Sequence, residues 1–275
     1  RVYVDLVIPK DDLGEAKEGD KVFVAFIEWT DPKKNPIGKV LRVLGKPGEH
    51  DAEMVAIVLE SGFDTGFPKE VENESKKLEE KGITEDDLKG RRDFRNTTTF
   101  TIDPEDAKDF DDAISIQDLG GGVYEIGVHI ADVSHYVRPG TEIDKEAMKR
   151  TTSIYLVDRT IPMLPEGLSN GLCSLIANED KLTFSAVFKI DMQGKISDHW
   201  FGRSVIKSNK RFTYENAQET IDRGSGEYFE ELVTLNKIAK KLKQKRFDEG
   251  AISLEQEEVR FKLDETGRPV SIYKK

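Results

Sequence analysis

Cysteine is almost missing from this chain of 275 residues, which carries one, Cys173. A single thiol cannot close an internal disulfide, so the composition makes no demand for an oxidising compartment, and a cytoplasmic location is expected. Long apolar runs are missing too. The longest, Val22 to Ile27 and Met54 to Leu59, fall far short of the ~18 residues that cross a bilayer, and no charged-then-apolar leader opens the chain, so no membrane partner is expected. An initiator methionine is also absent. Arg1 opens directly into an alternating stretch and the chain stops on Lys274 and Lys275 without an evident closing element; a piece cut at both ends is the expectation.

Positive charge is in deficit, with a formal net charge of −11. Phosphate binding ordinarily leaves a basic footprint, yet the deficit here is local. Residues 60–90 carry ten acids and five bases, residues 97–118 carry seven acids and one base, and these two segments account for all of it. The balanced remainder has basic groups at Arg91, Arg92 and Arg95, at Lys207, Lys210 and Arg211, and along Lys237 to Arg246. Global charge therefore does not exclude a nucleic-acid partner.

Hydropathy patterning divides the chain in three. Residues 1–59 read as strand-rich: Val2, Val4, Leu6 and Ile8 alternate, then Lys21 to Trp29 and Ile37 to Leu44 follow, separated by Gly and Pro turns. Such spacing suits a small β-barrel. From about residue 52 to 90 the pattern turns helical and charged, and residues 60–96 read as a connector. After Thr97 strands and helices mix. Thr98 to Ile102 is a strand, Ala113 to Ile116 and Val123 to Ile130 form a hairpin about Gly120-Gly121-Gly122, and Phe184 to Ile190 pairs with Lys195 to Val205. Helices are expected at 143–152, 213–222 and 226–248, the last with Leu232, Leu235, Ile238 and Leu242 at helical spacing, and a final hairpin over 257–273.

Between the first two of those strands, Asp103 to Asp112 places six carboxylates within ten residues. Crowded carboxylates raise one another's pKa unless a cation sits among them. A solvated acidic turn is the competing reading, but Pro104 stiffens the chain after the first aspartate, Phe110 offers an anchor, and the flanking strands pin both ends. A calcium loop of the EF-hand type fails, because Ala107 and Lys108 stand where an oxygen ligand and a glycine are needed. An Asp-x-Asp phosphatase pattern at 109 and 111 lacks an apolar strand immediately before it. Hard oxygen donors favour Mg²⁺, with Mn²⁺ as the alternative.

The run Asp103 to Ile114 is followed by Gly127-Val128-His129-Ile130-Ala131-Asp132-Val133-Ser134, Ser153-Ile154-Tyr155-Leu156, Ile161-Pro162-Met163-Leu164-Pro165 and Leu172-Cys173-Ser174-Leu175. Together these resemble the catalytic domain of the ribonuclease II (RNB) superfamily. Pro32 to Gly48 and Met54 to Phe67 are similar to a bacterial branch of it, and residues 1–59 resemble an OB domain of the cold-shock type. The resemblance implies a multi-domain α/β chain: a small all-β OB barrel over 1–59, a helical connector over 60–96, and a mixed α+β catalytic domain over 97–275, incomplete at its C-terminus. It also implies a 3′-to-5′ exoribonuclease, acting as a monomer on single-stranded RNA to release nucleoside 5′-monophosphates. Asp103, Asp109, Asp111 and Asp112 would build the Mg²⁺ site, and two metal ions would suit phosphodiester hydrolysis. Tyr155 would stack on a base, with Tyr214 as a second aromatic nearby. An RNA-binding piece without turnover is the alternative, and a phosphatase-like metal hydrolase a third class.

Other residues invite weaker readings. His129 and His135 are expected to be satisfied within the core, and Cys173 to pack. Arg150, Arg159 and the basic residues 207–211 are candidates for phosphate contacts. Phe23, Phe26 and Trp29 are candidates for either core or a base-stacking platform.

Overall fold

The structure, a computed structural model, describes residues 4–253, 259–265 and 267–274. Strands β1 (Lys21–Glu28) and β2 (Ile37–Gly45) lead into helices α1 (His50–Glu60), α2 (Lys69–Lys81) and α3 (Glu85–Leu88). Strands β3 (Arg92–Asp93), β4 (Thr99–Asp103), β5 (Asp112–Asp118) and β6 (Val123–Ala131) follow, then helices α4 (Val133–Tyr136) and α5 (Glu142–Arg150), and short strands β7 (Ile154–Tyr155) and β8 (Thr160–Ile161). Two long strands, β9 (Asp180–Asp191) and β10 (Ile196–Lys207), precede β11 (Lys210–Thr213), helices α6 (Tyr214–Arg223) and α7 (Phe229–Asp248), and the hairpin β12 (Val259–Leu263) and β13 (Pro269–Lys274). The chain forms two compact units, one of residues 1–67, 153–161 and 257–275, the other of residues 68–152 and 162–256.

In the first unit β1 and β2 pair antiparallel from Lys21↔Gly45 to Glu28↔Ile37. The alternation expected at residues 2–8 gives a single bridge, Val7 to Ile37, rather than a strand among the described residues. Pro9 follows at once, and a proline restrains the residue before it and cannot donate to a ladder. Val2 lies outside the described residues. Phe26 and Trp29 are exposed, and Phe23 sits at the border of exposure, so none of the three is sealed in a core. Asp158, in the loop between β7 and β8, lies 2.9 Å from His50 Nε2 and accepts from Arg159 Nε at 2.9 Å. The expected final hairpin is present as β12 and β13, with Glu257, Glu258 and Thr266 outside the described residues.

The second unit is built on a seven-stranded sheet in the order β11-β4-β5-β6-β9-β10-β3. Its centre is antiparallel, while β11 joins β4 and β3 joins β10 in parallel at the two edges. Gly120, Gly121 and Gly122 all have positive φ, 82°, 63° and 77°, a conformation side-chain-bearing residues rarely adopt, which is why the turn between β5 and β6 is made of glycine. One core cluster joins Phe100, Phe212, Ala217 and Leu232, and a second joins Ile116, Ile126, Ile190 and Ile238. Leu235 and Leu242 pack on the second, so the stripe read at helical spacing from 232 to 242 seats α7 on the sheet. Each apolar side chain so buried contributes roughly 1.5–3 kcal/mol.

Another set of strand residues is polar and buried. His129 is wholly buried, with Nδ1 2.6 Å from Ser185 Oγ and Nε2 2.8 Å from Ser115 Oγ. Ser204 continues the chain of hydroxyls to Thr183 at 2.6 Å. A Cβ on Gly127 would come within 2.5 Å of Ser115 Oγ and 2.6 Å of His129 Nε2, so glycine is what leaves room for that hydrogen bond.

Candidate active site

Strand β4 ends on Asp103 and β5 begins on Asp112, so the sheet fixes both ends of the acidic loop. Register sharpens this. Asp103 pairs with Thr213 of β11 and Asp112 with Ile130 of β6. The loop between them is held through its backbone. Phe110 N–H donates to Ser174 Oγ at 3.0 Å, Leu175 N–H donates to Phe110 O at 2.8 Å, and Ala131 N–H donates to Asp111 O at 3.1 Å. From the other side Arg211 Nη2 donates to Pro104 O at 2.6 Å and Glu105 O at 2.8 Å, and its guanidinium lies 5.1 Å from the Phe110 ring centre.

The backbone bonds leave the carboxylates unspent. Asp103 is buried, and its Oδ2 has no hydrogen-bond partner, an expensive state for an ionised oxygen. Burial pushes its carboxyl above the usual range, and Asp112 and Asp109 push it further while Thr101 and Arg211 pull the other way. Asp111 is exposed at its surface, yet partial loss of solvent around its carboxyl raises its pKa, with the charges of Asp109, Asp112 and Asp103 acting in the same sense. All four aspartates therefore lie within electrostatic range of one another. Among the described residues no three His, Cys, Asp or Glu side chains stand together as a ready cage for a metal ion.

The two aromatics fall differently. Tyr214 follows Thr213, the register partner of Asp103, and is 48% exposed at the start of α6, where Thr213 Oγ1 caps the helix by accepting from Asn216 N–H at 3.0 Å. Tyr155 belongs to the other compact unit, in the β7–β8 hairpin, and is 69% exposed. Neither is a core tyrosine.

Most of the remaining candidates are engaged within the protein, while Lys207 is exposed. Arg150 Nε donates to Glu146 at 2.9 Å and Lys210 binds Glu227 at 2.5 Å. His135 Nε2 lies 3.3 Å from Asp87 Oδ1, and burial depresses its pKa. Burial lowers that of His129 to about 4, as expected of a core imidazole. Cys173 is buried, and loss of solvent pushes its thiol up to about 12, so it packs rather than attacks. Sequence reasoning missed Arg211 and Ser174 as supports of the loop. Ser174 stood inside one of the recognised motifs, but nothing in a linear string says that its hydroxyl meets Phe110.

A seven-stranded mixed sheet, with an acidic loop between two of its strands, defines the class. Residues 91–275 match the RNB domain family and residues 1–68 the cold shock domain family; the chain belongs to the RNB domain family. Ribonuclease R of Thermotoga maritima is 40% identical over 280 residues, covering 99% of this chain and 39% of that protein. DIS3-like exonuclease 2 of Xenopus tropicalis is 38% identical, covering 99% of this chain and 35% of its own length. RNase R of Mycoplasma genitalium, solved with double-stranded RNA, superposes with a TM-score of 0.88 at 29% identity, covering 99% of this chain and 49% of that one; with ribose-methylated single-stranded RNA the values are 0.87, 28%, 99% and 43%. The chain thus spans between about a third and two fifths of the length of these two curated relatives. The superfamily resemblance and the fold class read from the sequence agree with these matches.

Proposed function

We propose that this chain carries the metal-binding part of a 3′-to-5′ exoribonuclease that hydrolyses single-stranded RNA to nucleoside 5′-monophosphates. The observation that carries the proposal is the buried, unpartnered Oδ2 of Asp103 beside Asp109, Asp111 and Asp112, with Asp103 and Asp111 both raised in pKa. An oxygen-rich set of this kind suits Mg²⁺ or Mn²⁺. A pair of such ions would lower the pKa of the attacking water and stabilise the leaving 3′ oxygen. Asp103 would offer the oxygen that has no other use, while Asp109, Asp111 and Asp112, set out by Phe110 and the start of β5, would complete the donor set. Tyr155 and Tyr214, both exposed, would stack on bases without reading their identity, as a sequence-tolerant nuclease requires. The relatives named ribonuclease and exonuclease, and the neighbours solved with RNA, support this reading.

The test is incubation with 5′-labelled single-stranded RNA and Mg²⁺. A ladder shortened from the 3′ end, lost in Asp112→Asn, is the expected result. Shortening that survives the substitution would sink the site assignment. Retention of RNA without shortening would favour the RNA-binding alternative, and phosphate release from small esters without a ladder would favour a phosphatase-like hydrolase.

A further inference from the structure

Arg211 stands among the acids of the 103–112 loop, yet among the described residues it forms no salt bridge with any of them. Its Nη2 donates instead to two carbonyls, Pro104 O and Glu105 O, and its guanidinium faces the ring of Phe110. These contacts fall just after Asp103 and between Asp109 and Asp111. Strand β11 sets the origin of the side chain, because Arg211 pairs with Thr101, two residues before Asp103, in the parallel β11–β4 ladder. The supports from Ser174, Leu175 and Ala131 reach only Phe110 and Asp111.

We propose that Arg211 is a positioning residue: through the Pro104 and Glu105 carbonyls and the Phe110 ring it holds the loop so that Asp103 and the later aspartates face a common cation. It touches no substrate in this role. The planar, forked guanidinium is suited to it, since one group binds two carbonyls and lies over an aromatic ring at the same time. Lysine keeps the charge but has neither the fork nor the plane. Any basic residue nearby would serve if charge alone mattered, so the proposal separates geometry from charge.

The cation part rests on the function proposed above; the loop part does not. The test compares wild type, Arg211→Met, Arg211→Lys and Phe110→Leu by amide hydrogen exchange and by Mn²⁺ titration followed by electron paramagnetic resonance. The amides of residues 107 and 110, which donate to Pro104 O and Ser174 Oγ, should exchange at least tenfold faster in both Arg211 variants and to a lesser extent in Phe110→Leu, while β9 and β10 stay protected. The Mn²⁺ dissociation constant should rise at least tenfold in both Arg211 variants. Unchanged loop exchange in Arg211→Met would overturn the proposal. Full restoration by Arg211→Lys would overturn it too, because charge would then suffice. If an Arg211 variant failed to fold, wild-type loop exchange in Phe110→Leu would count against it. Should wild type show no Mn²⁺ binding that Asp112→Asn removes, the proposed function would fall, and the loop exchange would still decide the role of Arg211.

Discussion

Arg91 and Asp132 form a nearly sealed ion pair, with Nη2 and Oδ2 2.6 Å apart and side chains 3% and 1% exposed. The same guanidinium donates to Asp87 O at 2.8 Å, Thr183 O at 3.2 Å and Ser204 O at 3.3 Å, so it ties the end of α3 to β9 and β10. Removing one member strands the other as a buried charge, whose cost is far larger than the net worth of an intact pair. Asp132→Ala should therefore lower unfolding stability by about 3–5 kcal/mol. Denaturant unfolding checks this, and Arg91→Met with Asp132→Leu together should lose less than the two single variants summed.

The pKa of His129 is lowered to about 4 by burial, below the usual value near 6.5. Between those values the unfolded chain binds a proton that the folded one refuses, so this group makes stability rise with pH from about 4 to about 6.5 and adds nothing to the slope above that. The full span is worth about 3 kcal/mol. Asp103 and Asp111, raised in the fold, slope the opposite way, so the quantity to measure is the difference between wild-type and His129→Gln unfolding curves across that window. A difference that does not vary with pH would show that His129 is not held neutral.

Gly127 allows a separate check on the same network. Alanine there would push against Ser115 Oγ and His129 Nε2, both closer than 2.7 Å to the new methyl group. Gly127→Ala should destabilise by about 1–3 kcal/mol, the usual cost of overpacking, and Gly127→Ala in a Ser115→Ala background should cost less. Equal losses in both backgrounds would place the strain elsewhere.

How much of this was legible in the sequence depends on what each residue answers to. Helix α7 and the strands β5, β6, β9 and β10 follow local rules, spacing of apolar residues and glycine at the turn, and they appear where periodicity puts them. Strands β3 and β11 pair in parallel with partners about a hundred residues away, Ser204↔Arg92 and Lys210↔Phe100, and no local pattern reports a non-local edge. The 167–172 segment, a turn of π-helix, left no periodic trace either. The acidic residues were conspicuous because their cost is a matter of composition. Arg211 was not, since a cation bound to carbonyls reads in sequence like any surface arginine.

Divalent cation should change the stability of the acidic loop in a way that separates charge relief from ligation. Without metal, Asp111→Asn removes one of several mutually repelling carboxylates and should leave stability unchanged or raise it, on the order of 1 kcal/mol. With Mg²⁺ at ten times its dissociation constant, wild type should gain about 1.4 kcal/mol by mass action, and the variant should gain little. Thermal melts with and without a chelator make the comparison. An equal Mg²⁺ gain in both proteins would mean the ion binds elsewhere.

Tyr155 and Tyr214 are exposed rings, and exposure by itself gives a surface aromatic no function. A stacking role predicts a particular pattern of substitution. Leucine offers apolar area but no π face, phenylalanine keeps the face and loses only the hydroxyl, and each base stacked is worth about 1–3 kcal/mol. In a binding assay by fluorescence anisotropy with a short labelled single-stranded RNA, Tyr155→Leu should weaken binding by that amount and Tyr155→Phe should leave it nearly unchanged. Tyr214 should follow the same order. Denaturant unfolding of all four variants separates a loss of binding from a loss of folding. If neither leucine nor phenylalanine weakens binding at a position, that ring does no stacking the leucine cannot replace; if phenylalanine is as damaging as leucine, the hydroxyl is the working group and the base-stacking assignment at that tyrosine is wrong.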